Sequence, residues 1–300
     1  MIRLKYSWRR PEGVKSGIPK LRALHYKFDC FLENMYIRLE KLPDNGLNAD
    51  ERKEVVTISL TTFPDRIEKS YYAIKSLMLQ SYKPDRIILW LAEEQFPDKK
   101  LPHKFDALQA AGLEIKYCQD LRSHKKYFYA LQEQKKNELV VTYDDDIIYE
   151  HDSLQKLVEA HTKYPNAIIC NRGHEMMLSE DGVLQEYSTW KIHSSEGVMN
   201  PSMRIMPSTG NGCLYPFQSV PAIAFDWQII KENALTADDI WMRFCSLQKK
   251  TQVVKTRETI AILCNVWGSQ HEALTNVNDL AGENQRVIDN LLSVFPETFN

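Results

Sequence analysis

Val140-Val141-Thr142-Tyr143-Asp144-Asp145-Asp146-Ile147-Ile148-Tyr149 sets three consecutive aspartates between two apolar runs. The residues before them have the β-branched and aromatic character of a buried strand. Adjacent carboxylates repel one another and resist burial, so three at the end of a core strand call for a cation. Two hard oxygen donors suit Mg2+ or Mn2+, which keep several waters and complete their shell with phosphate oxygens. Along an extended strand side chains alternate faces, so Asp144 and Asp146 are expected to point one way and Asp145 the other. An acidic loop capping a helix that begins near Ser153 is the alternative reading.

That strand belongs to a series. From Val55, apolar β-rich runs alternate with amphipathic stretches: 55–60 then 67–80, 86–91 then 101–111, 113–118 then 125–136, 139–143 then 153–164, and 167–170. Strands alternating with helices predict a parallel, doubly wound α/β sheet. Ligands of such sheets bind beyond the carboxyl ends of the strands, where the aspartates lie. After Asn171 the rhythm gives way to an irregular region, 174–225. Long irregular segments inside a domain are usually functional loops. A helical pattern resumes over 237–249, followed by a strand-like run, 251–256, and a terminal amphipathic stretch, 284–294. Pro43, Asn45, Gly46 and Asn48 mark 42–53 as a linker.

With 43% hydrophobic and 26% charged residues, the 300-residue chain can bury a sizeable core. A net charge of −2 gives no global attraction to nucleic acid. The charge is uneven, with ten Lys and Arg against four acids between Met1 and Leu42. In that segment Leu21, Leu24, Phe28, Phe31, Leu32, Met35 and Leu39 recur at helical intervals, predicting an apolar helix face flanked by charge. An anionic membrane surface and the catalytic domain itself are the two partners such a face would suit. Six scattered cysteines without a C-x-x-C pair, no membrane-length apolar run and no secretory h-region lead to the expectation of a cytoplasmic protein, peripheral on the inner face of the plasma membrane if the basic helix binds lipid.

Five ordered elements then resemble the metal-dependent nucleotide-sugar glycosyltransferases of the GT-A fold, especially the bacterial family 2-like enzymes. They are Ser59-Leu60-Thr61-Thr62-Phe63-Pro64-Asp65-Arg66-Ile67, the run from Ser76 to Arg86, the aspartate triplet, Gly210-Asn211-Gly212, and Ala237-Asp238-Asp239-Ile240-Trp241. The resemblance covers roughly 55–254. It implies a Rossmann-like, mostly parallel sheet with a single nucleotide-sugar site. It also implies Mn2+ or Mg2+ on Asp144 and Asp146, and inverting transfer of a sugar from a nucleoside diphosphate to a hydroxyl of a saccharide, such as a lipid-linked surface polysaccharide.

Within that resemblance, Thr61, Thr62 and Arg66 would meet the nucleotide, Arg being suited to bidentate phosphate contact. Glu93 and Asp120, after the second and third strands, would accept hydrogen bonds from base or ribose. Lys126, beside Lys125 at a helix start, would offset diphosphate charge. Asp145 is grouped with the donor-binding residues without a specific role. Gly210, Asn211 and Gly212 would lie beside the donor sugar, where missing side chains permit close approach. Asp238-Asp239 stands where the family carries Glu-Asp, and Asp239 is preferred over Asp238 as the base that deprotonates the acceptor. Trp241 would pack beneath the site or line the acceptor groove. His271 is a candidate third metal ligand, with His193 a weaker one.

The expected organisation is a basic extension and linker over 1–53 and one catalytic domain over 54–300. Its nucleotide-binding half runs to about 150 and its acceptor-binding half to about 260, with a C-terminal segment after that. Two other classes fit parts of the pattern. A nucleotidyltransferase also uses paired aspartates with Mg2+, though 61–67 lacks the glycines of its usual phosphate loop. A catalytically silent carbohydrate-binding protein of the same fold would make Asp238-Asp239 dispensable.

Overall fold

The computed structural model describes residues 20–257, 263–269 and 282–299, with side chains from 27 onward. Helix α1 (Lys20–Leu39) precedes an alternation of β1 (Val55–Thr61), α2 (Ile67–Met78), β2 (Arg86–Ala92), α3 (Lys104–Ala110), β3 (Leu113–Cys118), α4 (Lys125–Gln132), β4 (Glu138–Tyr143), α5 (Ser153–Lys163) and β5 (Ile168–Cys170). Short strands β6 (Gly173–Glu175), β7 (Ile205–Pro207) and β8 (Asn211–Tyr215) occupy the region expected to be irregular. Then follow α6 (Trp227–Asn233), α7 (Asp238–Gln248), β9 (Val253–Lys255) and α8 (Glu283–Val294).

Seven strands form one mostly parallel, Rossmann-like sheet in the order β3-β2-β1-β4-β8-β5-β9, while β6 and β7 pair separately. From β1 the chain first builds outward through β2 and β3, then returns to lay β4 on the other flank of β1. The strand order therefore switches between β1 and β4, and the crevice at their carboxyl ends is where this class of sheet holds ligands.

Alternation along each strand divides the core. In β2, Ile88 and Trp90 join the cluster beneath α4, α7 and α8, while Ile87, Leu89 and Leu91 join the cluster beneath α2, α3 and α5. Both faces of the central strands are covered, which explains their unbroken apolar runs.

Two expectations change. Strand β8 runs antiparallel to both β4 and β5, inserted between strands that a simple series of crossovers would have placed side by side. Its five residues include a glycine and lie inside a Ser/Gly/Pro-rich stretch, so no strand-like run announced it. Second, β4 ends at Tyr143, and the triplet lies beyond the strand. Thr142 pairs with Cys213 but Tyr143 pairs with Asn211, leaving Gly212 as an unpaired bulge residue at φ +88°. The two-residue alternation assumed for Asp144 to Asp146 does not apply to them.

Helix α1 packs on α2 and is fastened to 263–269 through Asn34, whose Nδ2 donates to the Asn265 carbonyl at 3.0 Å and whose Oδ1 accepts from the Trp267 amide at 3.0 Å. No helix among the described residues is long and apolar enough to cross a membrane.

Candidate active site

The site assembles at the β1–β4 switch point from four chain segments. Beyond β1, the turn Thr62-Phe63-Pro64 leads through one 3-10 turn into α2 and aims Arg66 inward. The Arg66 Nη1 lies 2.9 Å from Asp145 and 3.3 Å from Asp146, and Thr62 Oγ1 donates to Asp145 at 2.5 Å. Burial works against the guanidinium's charge, but Asp145 and Asp146 raise its pKa above the ordinary value, so it stays ionised. Asp145, expected to point away from both neighbours, does turn away from Asp144 but shares Arg66 with Asp146, and it is the buried anchor of the triplet.

Asp144 turns to the opposite side. Its Oδ1 accepts from Lys126 Nζ at 2.7 Å, and the same ammonium lies 2.9 Å from Asp238 Oδ2. Lys126 is 3% exposed and sits in the first turn of α4, where the helix dipole disfavours a cation. Burial too opposes its charge, but Asp144, Asp238 and Asp239 raise its pKa. The backbone of Lys126 is pinned to β1, since its carbonyl accepts from Ser59 Oγ at 2.5 Å and Ser59 in turn accepts from Trp90 Nε1 at 2.9 Å.

The third segment is the loop before β8. The Asp144 amide donates to the Gly210 carbonyl at 2.8 Å, and a Cβ on Gly210 would stand 1.7 Å from Asp144 Oδ2. Only glycine therefore leaves the Asp144 carboxylate where it is. Gly212 acts differently from expectation: a Cβ there would meet Asn171 and Tyr143 at 2.7 and 3.0 Å, so its freedom serves the bulge and the packing beneath it. Asn211 spends its side-chain amide on Ser208 Oγ at 2.8 Å. Tyr149 closes the turn, its hydroxyl accepting from the Asp144 amide at 2.8 Å and lying 2.7 Å from the Gly210 carbonyl.

The fourth segment is the start of α7. Burial opposes the charge of Asp238, yet Lys126 holds its pKa well below the usual carboxylate range. Asp239, partly exposed, is pushed up to about 7 by burial and then by Asp238. Thr209 joins the two: its hydroxyl lies 2.6 Å from Asp238 Oδ2 and 2.5 Å from Asp239 Oδ1, and its amide donates to Asp239 Oδ1 at 2.8 Å. Thr209 went unnoticed in the sequence, although it directly precedes Gly210.

Other expected residues lie apart from this cluster. Thr61 Oγ1 donates to the Trp90 carbonyl at 2.8 Å. Glu93 is exposed at the end of β2, and Asp120, beyond β3, pairs with Lys125 at 2.6 Å and Gln95 at 3.0 Å. Both stand on the carboxyl edge of the sheet, towards β3. Trp241 neither lines a groove nor reaches the surface; it is fully buried, donating to the Ala224 carbonyl at 3.1 Å. His193 is exposed in the irregular region, and His271 lies outside the described residues.

Five carboxylates, Asp144, Asp145, Asp146, Asp238 and Asp239, thus gather around Arg66 and Lys126. Burial, then Asp144 and Asp145, push the Asp146 carboxyl up to about 7, a sign of negative charge in surplus. An all-oxygen donor set with surplus charge fits a hard divalent ion on Asp144 and Asp146. Among the described residues no group of three or more His, Cys, Asp or Glu side chains is arranged to hold a metal, so such an ion would complete its shell with water and substrate oxygens.

No family model and no curated protein matches the chain. Among solved structures, it is similar to the crystal structure of 4-diphosphocytidyl-2C-methyl-D-erythritol synthase from Anaerococcus prevotii, at 12% sequence identity and a TM-score of 0.45, over 77% of this chain and 100% of that one.

Proposed function

We propose that the chain is a GT-A-type glycosyltransferase, moving a sugar from a nucleoside-diphosphate sugar to an acceptor hydroxyl with inversion of the anomeric centre. One observation carries the reading above the others: Lys126 joins Asp144, at the end of β4, to Asp238, at the start of α7. Two acidic clusters, one suited to a metal-bound diphosphate and one to proton transfer, thereby share one crevice.

The donor diphosphate would lie at the β1–β4 switch point. A divalent ion bound there by Asp144 and Asp146 would supply Lewis-acid neutralisation of the departing diphosphate. Lys126 adds a buried positive charge on the same side, and the Gly210 backbone leaves room against Asp144. Asp239 takes the proton of the acceptor hydroxyl. Its Oδ1 is occupied by the Thr209 amide and hydroxyl, which leaves Oδ2 as the oxygen for the acceptor's proton. A base titrating near neutrality balances availability against proton affinity. Asp238, kept ionised by Lys126, holds the Asp239 pKa up.

The described part of α1 adds a partner to this reading. Phe28, Leu32, Met35 and Leu39 recur along one face and are exposed, Leu39 at 80% and Phe28 at 58%. The sequence leading into that face is strongly basic. An apolar stripe next to a basic segment suits an anionic lipid surface, which would bring the site to lipid-linked acceptors.

A donor screen tests the central claim: UDP-, GDP- and dTDP-sugars with Mn2+, followed by nucleotide release, alongside nucleoside triphosphates with sugar phosphates, followed by pyrophosphate release. Metal-dependent release of a nucleoside diphosphate is expected. Pyrophosphate release would favour a nucleotidyltransferase, and turnover of neither substrate class would favour a catalytically silent fold.

A further inference from the structure

We propose that Thr209 is the positioning residue of the Asp238–Asp239 pair, a rotor whose single hydroxyl hydrogen follows the charge of the base. The inference rests on the reading of Asp239 as the base and adds the device that sets it.

The geometry poses a counting problem. Thr209 Oγ1 lies 2.6 Å from one carboxylate oxygen and 2.5 Å from another, but a hydroxyl has one hydrogen to donate. Both short contacts are hydrogen bonds at once only if one carboxyl carries a proton and donates it to Oγ1. Asp238 also contacts Lys126, so the proton belongs to Asp239. In that state Asp239 donates to Thr209 and Thr209 donates to Asp238. When Asp239 ionises, the hydroxyl swings to it and joins the Thr209 amide on Oδ1, while Lys126 alone satisfies Asp238 Oδ2. Neither carboxylate has to move between these two resting states, in which the exchangeable proton sits on Oδ1; a proton taken from the acceptor arrives on Oδ2 and leaves to solvent.

The position of Thr209 is itself fixed. It is fully buried, and its carbonyl accepts at 2.5 Å from Oγ1 of Thr142, two residues before the triplet in β4. The charged and titratable groups that bear on Asp239 are Asp238 on its own helix, Lys126 from α4, and the buried Cys170, Cys213 and Tyr215 from the sheet beneath. His124, close to Asp238, is pushed down to about 4 by burial and stays neutral through the working range.

The test reads Asp239 directly. In the full chain labelled with 13C at aspartate Cγ, the Asp239 signal is assigned by its loss in Asp239→Asn and titrated in wild type, Thr209→Val and Thr209→Ser. Valine keeps the branched shape and the amide but loses the hydroxyl: each state loses one bond to a carboxylate, and the protonated state also loses the acceptor of its own proton, so the midpoint is expected to fall by about one pH unit. Serine, which keeps the hydroxyl, is expected to retain the wild-type midpoint. The acidic limb of turnover should move with the signal to lower pH, while donor KM holds. Thr209→Ala against Thr209→Ser repeats the comparison if the valine variant fails to fold. An unmoved midpoint in the variants without a hydroxyl, or an equal shift in serine, overturns the proposal. A shift in the signal without turnover of any donor leaves Thr209 as proposed and sinks the transferase reading instead.

Discussion

Asp144 and Asp238 share one counter-ion: Lys126 Nζ stands 2.7 Å from the first and 2.9 Å from the second, with little access to water. Removing one member of a buried ion network leaves the others uncompensated, which costs roughly 3–5 kcal/mol. Lys126→Met is therefore expected to lower the denaturant midpoint by that order. Adding Asp238→Asn should recover part of the loss, because one stranded charge is gone. Equal stability of Lys126→Met and wild type would show that the two acids do not depend on this cation.

Asp239→Asn should cut turnover by roughly 10^2 to 10^4-fold while donor binding stays near wild type, since the base acts on the acceptor alone. The pH profile should carry an acidic limb near neutrality, matching a carboxyl raised to about 7. Stability follows with a definite sign. A folded-state pKa raised above the unfolded value of about 3.9 means that the folded protein holds the extra proton. This contribution is complete below about pH 4 and is lost as pH rises through about 7. Wild type should lose stability across that window more steeply than Asp239→Asn, which has nothing to titrate there. Denaturation curves at intervals from pH 4 to 8 check it.

The triplet should separate into an anchor and a working face. Asp145 has a side chain 6% exposed, tied to Arg66 and Thr62, whereas Asp144 is 38% exposed. Asp145→Asn takes the nearer carboxylate from the buried guanidinium, leaving Asp146 at 3.3 Å, and removes an acceptor that Thr62 also uses, so it is expected to cost about 3 kcal/mol. Asp144→Asn leaves Lys126 its second partner and is expected to cost about 1 kcal/mol, with the larger effect on Mn2+ affinity. Calorimetric binding and denaturation of the two variants side by side distinguish them, and equal stability losses would reject the division.

Much of this arrangement could be read from the chain, and the failures have physical causes. The series from Val55 to Cys170 declared itself because buried parallel strands carry unbroken apolar runs and their helices a 3.6-residue stripe. Asp144, Asp238 and Asp239 stood out because clustered carboxylates are rare without a purpose. That Asp145 and Asp146 share Arg66 was not legible because the alternation rule stops at Tyr143, and the bulge that ends the strand depends on pairing with a segment almost seventy residues later. Thr209 was invisible for a related reason. A threonine beside a glycine has no periodicity or charge, and its value arises only when folding brings two carboxylates to its hydroxyl. Of the two places expected for Trp241 the groove is ruled out, because two positions along a helix from Asp239 is a different face and that face is buried.

Gly210→Ala is a sharper probe of the site than any charge removal. The added methyl carbon would lie 1.7 Å from Asp144 Oδ2, far inside contact distance, and its three nearest atoms all belong to the Asp144 carboxylate. Asp144 must rotate away or the loop must retreat. Mn2+ affinity is expected to fall by about 10–100-fold, the range found when a metal ligand loses its orientation. Far-UV circular dichroism should remain native. An unchanged Mn2+ affinity would remove Asp144 from the metal site.

The exposed stripe on α1 makes a prediction about lipid. Phe28 and Leu39 are exposed at opposite ends of the described face, and each apolar side chain buried in a bilayer interface contributes roughly 1.5–3 kcal/mol. Wild type should co-sediment with vesicles containing phosphatidylglycerol and only weakly with phosphatidylcholine alone. Phe28→Ser with Leu39→Ser should weaken binding to anionic vesicles at least tenfold, and raising ionic strength should weaken it further, since the basic segment acts through screened charge. Because these residues lie outside the crevice, turnover of a soluble acceptor should not change in the double variant. Binding to both vesicle types that survives the two substitutions and high salt would place the lipid contact elsewhere on the molecule. Failure of wild type to bind either vesicle would leave the stripe to a protein partner, and dimerisation that Leu39→Ser abolishes would identify a second copy of the chain as that partner.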